Sequence, residues 1–378
     1  GSPSPRFLGG AKVKELDRKW ADYFGCGYAV SVNSATSGLY AAVGAIGISP
    51  GDEVIVPPLT MSASVMAVIG YQGVPIFADC EPDYSCIDPV SVESRISKRT
   101  KAIVAVNLFG QPANFKALRE IADKHGLLII EDNAQSPGAF YFDKPAGTLG
   151  DIGVFSLNCH KAIQCGEGGV AVTDNQEFAE RMQLIRNHAE SVVESMPHVS
   201  MVNMVGQNYR MTEVHAAIAI CQLDKLVSVS RRRQDLAARL SEQLSQFAFL
   251  KVPNTREGAT HVYYQYMLRY SSNELGVSRQ TFVDALNAEG FSAKQGYVKP
   301  LYLLPIFQKQ IAFGESGNPF SLKDTAPNYA QGLCPVSERL HFEELICADL
   351  MRFDISSEEV DAFASAVDKV ASHCGELK

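Results

Sequence analysis

Between residues 28 and 133 the chain repeats one pattern: a short β-branched run, a polar or glycine break, then an apolar helical stretch. "YAVSVNS" (28–34), "DEVIVPP" (52–58), "PIFADC" (75–80), "TKAIVAVNLFG" (100–110) and "LLIIEDN" (127–133) read as strands. "SGLYAAVGAIG" (37–47), "SASVMAVIGYQG" (62–73) and "FKALREIADKHG" (115–126) read as helices between them. Strands apolar along their whole length are buried on both faces. Alternating with helices, they predict an α/β fold with a mostly parallel sheet flanked by helices. Ligands in such sheets bind at the carboxyl ends of strands. That directs attention to Asn33–Ser37, to Asp132 and to the residues after "IGVFSL".

A long helical pattern runs from about 212 to 248, as one bent helix or two. A second α/β region follows, with a strand over 260–270 and a helix over 278–290. Residues 300–335 look irregular, and 356–373 reads as a final amphipathic helix. With 378 residues, two domains are expected: a large one over 1–245 and a smaller C-terminal α/β one over 246–378.

The charge balance narrows the partners. With 42 acidic against 34 basic side chains the net charge is −8, which offers no field for nucleic acid. The triplet Arg231-Arg232-Arg233 reads as a solvated helix face. No apolar run reaches the roughly 18 residues of a membrane span. The opening "GSPSPRFLGG" lacks the apolar centre of a signal peptide, and its Gly-Ser reads as a cloning scar. The nine cysteines form no C-x-x-C, so reduced, mostly buried thiols in a cytoplasmic protein without a metal site are expected.

Three motifs carry chemistry. In "SVNSATSGLY" a strand ends and a helix begins on small hydroxyl residues; the unpaired N–H groups there favour a phosphate, to which Thr36 and Ser37 add hydroxyls. An ordinary Ser/Thr cap is the alternative. In "IIEDNAQSPGA", Asp132 sits at the end of an apolar strand, where a carboxylate needs a partner such as a protonated heteroaromatic nitrogen. A metal ligand or a helix cap are the alternatives. In "GDIGVFSLNCHKAIQCGEGG", Lys161 lies on a loop five residues after Ser156 and five before Gly166. No glycine precedes it and Ala162 follows, so it is not a P-loop lysine. Its amine can form a Schiff base with an aldehyde; a surface charge is the alternative. A phosphate cradle, a carboxylate for a ring nitrogen and an imine-forming lysine together describe pyridoxal 5′-phosphate.

These residues, with "NSATSGL", "GDEVIVPPLT", "GDIGVFSLNCHK", "GEGGVAVTD", "NYRMTEVHAAI" and "ERLHFEEL", resemble the DegT/DnrJ/EryC1/StrS sugar aminotransferases, of the fold-type I pyridoxal-phosphate enzymes. The resemblance runs from about residue 8 to 370. It implies that an amino acid, glutamate or glutamine, passes its nitrogen to a keto-sugar, nucleotide-linked in the main reading, with pyridoxamine 5′-phosphate as the intermediate form. A sugar dehydratase, or an aminotransferase acting on a keto-cyclitol or a sugar without a nucleotide, is the alternative. Lys161 would hold the cofactor and shuttle the proton, Asp132 would pair with the ring nitrogen, and Gln135 would bond the ring hydroxyl. Thr36, Ser37 and Ser156 would hold the phosphate, and Asn208 would reach the phosphate in the neighbouring subunit of a homodimer.

The sequence departs from the family pattern in three places. Met61 stands where the family usually stacks an aromatic ring on the cofactor. The family commonly carries a longer stretch before "LGGAKVKELDRKW", so either the sequence is short here or the N-terminal cover is absent. "LNCHK" replaces a run like "FHPTK". A dehydratase branch has histidine at the lysine position; here the spacing puts Lys161 there and His160 before it, which favours transamination. For the substrate, His188 in "RNHAE" and Lys299 and Tyr302 in "GYVKPLYLLP" are the candidates, with packing as the alternative for each aromatic. Arg210 reads as the partner of a carboxylate.

Overall fold

The computed structural model describes residues 9–189, 203–322, 327–351 and 355–377. It opens with helix α1 (Ala11–Phe24) and strand β1 (Tyr28–Val32). Helix α2 (Ala35–Ala45), β2 (Glu53–Val56), α3 (Ala63–Gly70), β3 (Val74–Phe77) and β4 (Thr100–Val106) follow. Then come α4 (Phe115–His125), β5 (Leu128–Asp132), β6 (Ile152–Ser156), β7 (Gly169–Thr173) and α5 (Gln176–Arg186).

These strands form one seven-stranded sheet in the order β1-β7-β6-β5-β4-β2-β3. All neighbours are parallel except those of β7, which runs antiparallel to both β1 and β6. The α/β expectation therefore holds. Strands β2, β6 and β7 are buried at every residue, as strands covered by helices on both faces must be. Because β1 and β6 both oppose β7, they point the same way as β5. Their carboxyl ends, Val32, Ser156 and Asp132, thus meet at one edge of the sheet.

The long helical pattern is two helices, α6 (Glu213–Leu223) and α7 (Leu226–Leu244). Helix α6 lies along α1. The arginine triplet is not one solvated face. Successive helical residues point about 100° apart, and while Arg231 and Arg232 are exposed, Arg233 is buried.

A second, antiparallel sheet takes β8 (Leu250–Lys251), β9 (Tyr266–Tyr270), β10 (Ala293–Gln295) and β11 (Leu345–Ala348), ordered β8-β9-β11-β10. Helix α8 (Arg279–Ala288) and the last helix, α9 (Ser357–Ser372), complete its core with Phe282, Leu286, Phe363 and Val367. Leu240 and Leu244 of α7 pack into the same core. The strand expected over 260–270 begins only at Tyr266. Ahead of it the backbone turns aside, because Val262 N–H and Gln265 N–H donate to Gly110 and Phe109 carbonyls, at 2.7 and 3.2 Å. The irregular stretch after 300 packs Tyr302, Phe307 and Tyr329 around Phe77. Of the cysteines, all free, four are buried, three half-buried and two exposed, fewer buried than expected.

Candidate active site

The site begins where β1 ends. Ser34 caps α2 by accepting Ser37 N–H at 3.1 Å, so the cap alternative holds for Ser34. The buried Ser37 hydroxyl donates to Asn33 Oδ1 at 2.6 Å, while Thr36 is exposed at the helix end. Gly169, at the start of β7, pairs with Val32 on one side and Ser156 on the other. A Cβ on Gly169 would stand 2.6 Å from Ala35 N and 2.7 Å from Ser34 C. Glycine is what lets the first turn of α2 settle on the sheet beside Ser156. Two hydroxyl residues far apart in sequence, Thr36 and Ser156, thus border one helix N-terminus, whose leading N–H groups favour an anion.

Strand β5 supplies two adjacent carboxylates on opposite faces. Glu131 is fully buried and accepts from Asn107 Nδ2 at 2.7 Å and from the N–H groups of Gly147 and Leu149 at 2.6 and 2.7 Å; it braces the loop ahead of β6. Asp132 faces the other way. Its Oδ2 accepts Ser64 Oγ at 2.7 Å and its Oδ1 accepts Ala134 N–H at 3.1 Å. Burial pushes the Asp132 carboxyl above its ordinary range, against those two bonds and the positive charge of Lys161. A buried carboxylate held only by neutral donors suits a cationic ligand atom.

Lys161 lies on the loop after β6, half-buried. Its Nζ donates to Tyr264 Oη at 3.4 Å and sits 4.4 Å from the centre of that ring. A cleft of about 420 Å³ opens beside Tyr264, lined by Cys159, His160, Arg233, Gln265, Asp349 and Met351. His160 itself is exposed. Gln135 Oε1 accepts Phe109 N–H at 2.8 Å, and its Nε2 donates to Tyr297 Oη at 3.0 Å, leaving its second amide proton for a ligand. Met61, just before α3, is 59% exposed.

The donor set fits pyridoxal 5′-phosphate: an anion cradle at α2, a neutral-bonded carboxylate at Asp132, and a lysine amine within electrostatic reach of it. A larger cleft, about 700 Å³, lies elsewhere, among Arg269, Glu274, Gln280 and Glu344.

The remaining candidates divide. Asn208 is exposed; its carbonyl accepts Asn33 Nδ2 at 3.3 Å, beside the cradle of its own chain. With Arg186, Arg210 and Glu213 it lines a separate cleft of about 390 Å³. His188 is exposed, with φ 66, and is tied through its N–H to Gln207 O at 3.0 Å. Lys299 is exposed. Tyr302 is a correction. Its ring is fully buried, its hydroxyl donates to Glu338 and accepts Cys334 N–H at 3.3 Å, and it faces no open space. Sequence reasoning missed Ser64, Tyr264 and Tyr297. Ser64 carries a faint cue, four residues after Thr60 on a helix; the two tyrosines carry none.

The family model described as the DegT/DnrJ/EryC1/StrS aminotransferase family matches residues 3–343. The chain is 36% identical over 296 residues to the L-glutamine:scyllo-inosose aminotransferase of Streptomyces griseus, covering 76% of this chain and 70% of that one. It is 33% identical to the GDP-perosamine synthase of Caulobacter vibrioides, covering 78% of each. Its fold superposes on S. venezuelae DesV, solved in complex with a ketimine intermediate, with a TM-score of 0.80 at 30% identity over 97% of this chain and 91% of that one.

Proposed function

This chain belongs to the DegT/DnrJ/EryC1/StrS aminotransferase family, and we propose that it is the enzyme that moves an amino group from glutamine or glutamate to a keto-sugar or keto-cyclitol. Its cofactor is pyridoxal 5′-phosphate. The observation that carries the reading is the buried Asp132 at the carboxyl end of β5 with Lys161 on the loop that follows the neighbouring strand β6. When bound, the cofactor supplies an aldehyde that takes up amines and a ring that draws electrons from the neighbouring carbon.

The chain's own residues do the rest. The α2 N-terminus, Thr36, Ser37 and Ser156 would hold the phosphate. Asp132 would keep the ring nitrogen protonated through its opposing charge. Gln135 would offer its remaining amide proton to the ring hydroxyl, and Met61 would cover the ring. Lys161 would hold the aldehyde carbon and, released when the donor's amine takes its place, would carry the proton away from the substrate carbon next to nitrogen and return it. Glutamine as donor is supported by the S. griseus relative's name, and a nucleotide-linked sugar by that of GDP-perosamine synthase. His188 and Lys299 are the substrate contacts in this reading. Asn208 serves the neighbouring site of a cytoplasmic homodimer, and the domain boundary lies near residue 245.

The test is the visible absorption of the protein with pyridoxal phosphate, before and after L-glutamine or L-glutamate. An imine band that bleaches with a donor supports the reading, and its absence from Lys161→Ala assigns the lysine. A wild-type protein without a band, or a product sugar without the donor's nitrogen, sinks it.

A further inference from the structure

Tyr264 is the one hydrogen-bonding partner of Lys161 Nζ among the described residues, and it meets that amine twice: through its hydroxyl at 3.4 Å and with its ring face at 4.4 Å. The oxygens of Asp132 are taken by Ser64 and Ala134. We propose that Tyr264 is a positioning residue for Lys161, its ring and hydroxyl holding the amine as an ammonium group whenever the amine is not bonded to the cofactor. This rests on the role of Lys161 given above.

The backbone that carries Tyr264 is built for a fixed aim. Val262 N–H and Gln265 N–H donate to the carbonyls of Gly110 and Phe109 on either side of the tyrosine pair. Gly110 has φ 121, and a Cβ there would meet Tyr263 N and Tyr264 N at 2.7 Å each. Tyr263 is held at φ 48, its N–H donating to His261 Nδ1 at 2.9 Å and its ring stacked 4.0 Å from that imidazole. Burial drives His261 down to about 3, so it stays a neutral acceptor. Phe109, which anchors this clip, also donates to Gln135. The residue facing the amine and the residue offered to the ring hydroxyl are thus tied to one turn.

An aromatic face stabilises a cation and not a neutral amine. A lysine that must leave the cofactor, carry a proton and return needs such a resting place within a side-chain swing. The charged and titratable groups around this pair are Asp132 of β5, Tyr297, His160 on the lysine's own loop, Arg233 of α7, and Asp349 after β11. Of these, none is placed on the amine as the ring is.

The test reads the lysine in the cofactor-free protein. Competitive acetylation by acetic anhydride at one pH, followed by mass spectrometry, gives the reactivity of Lys161 relative to the other lysines. Tyr264→Leu is expected to raise that reactivity about 2- to 30-fold, the worth of a cation–π contact that holds the unreactive ammonium. Tyr264→Phe, which keeps the ring, should stay near the wild-type value. In the loaded enzyme, Tyr264→Leu should need about 2- to 30-fold more amino donor to bleach the imine band; the band itself reports that the variant is folded. An unchanged Lys161 reactivity in Tyr264→Leu overturns this proposal alone. A visible imine band in Lys161→Ala overturns the proposed function, and this proposal with it.

Discussion

The hydroxyl of Ser64 lies 2.7 Å from Oδ2 of Asp132, so that helix α3 supports the carboxylate delivered by strand β5. The two residues are 68 apart in sequence. Their contact orients a buried negative charge that has no hydrogen-bonded cation within the described residues.

That arrangement has a pH signature. The folded-state pKa of Asp132 is raised by burial above its ordinary 3.8. Its contribution to folding is therefore fully present below that value and is lost as pH rises through the folded pKa. Asp132→Asn should make the cofactor-free protein more stable at pH 7, with the gain vanishing near pH 4. The same change should cut turnover about 100-fold or more, because the ring loses its counter-charge. Thermal midpoints of the cofactor-free protein at the two pH values, beside steady-state rates, check both halves. A destabilised Asn variant at neutral pH would contradict the account.

Gly169→Ala tests the cradle. The added Cβ would press on backbone atoms of Ser34 and Ala35, which cannot swing aside as a side chain can. We expect a stability loss of about 1–3 kcal/mol, the range for overpacking. Weaker retention of pyridoxal phosphate should accompany it. Denaturant titration and equilibrium dialysis measure the two; unchanged cofactor affinity would place the phosphate elsewhere.

Met61 is the exposed thioether at the place where the family usually carries an aromatic ring. Met61→Tyr should tighten cofactor binding about 2- to 10-fold, the added worth of an aromatic pair. Fluorescence titration with pyridoxal phosphate checks it, and weaker binding would mean that the side chain does not cover the ring.

Tyr302 is assigned to packing. Removing its hydroxyl takes one donor from the half-buried Glu338, which keeps Gly332 N–H, and leaves the buried Cys334 N–H short of a partner. Tyr302→Phe should therefore cost about 1–3 kcal/mol of stability. The KM values for donor and sugar should stay within about twofold, since the residue faces no ligand. A selective rise in the sugar's KM would restore it to the substrate site.

Much of the candidate site was legible in the sequence. The strand ends, the hydroxyl cluster at α2 and the loop lysine are local patterns, because helix caps, strand termini and glycine turns are dictated by a few neighbouring residues. Even the α/β class follows from local periodicity, since parallel strands must be apolar on both faces. The antiparallel β7, which sets Gly169 between Val32 and Ser156, depended on which strands pair, and pairing is long-range. So did the meeting of Ser64 with Asp132 and of Tyr264 with Lys161, and the burial of Tyr302, which a Pro- and aromatic-rich stretch reads as a loop residue. The sequence by itself determined which chemical groups the chain carries and at which element ends they sit. Only the tertiary structure decided which of them face one another, because a side chain's neighbours across a sheet edge come from segments that share no local pattern.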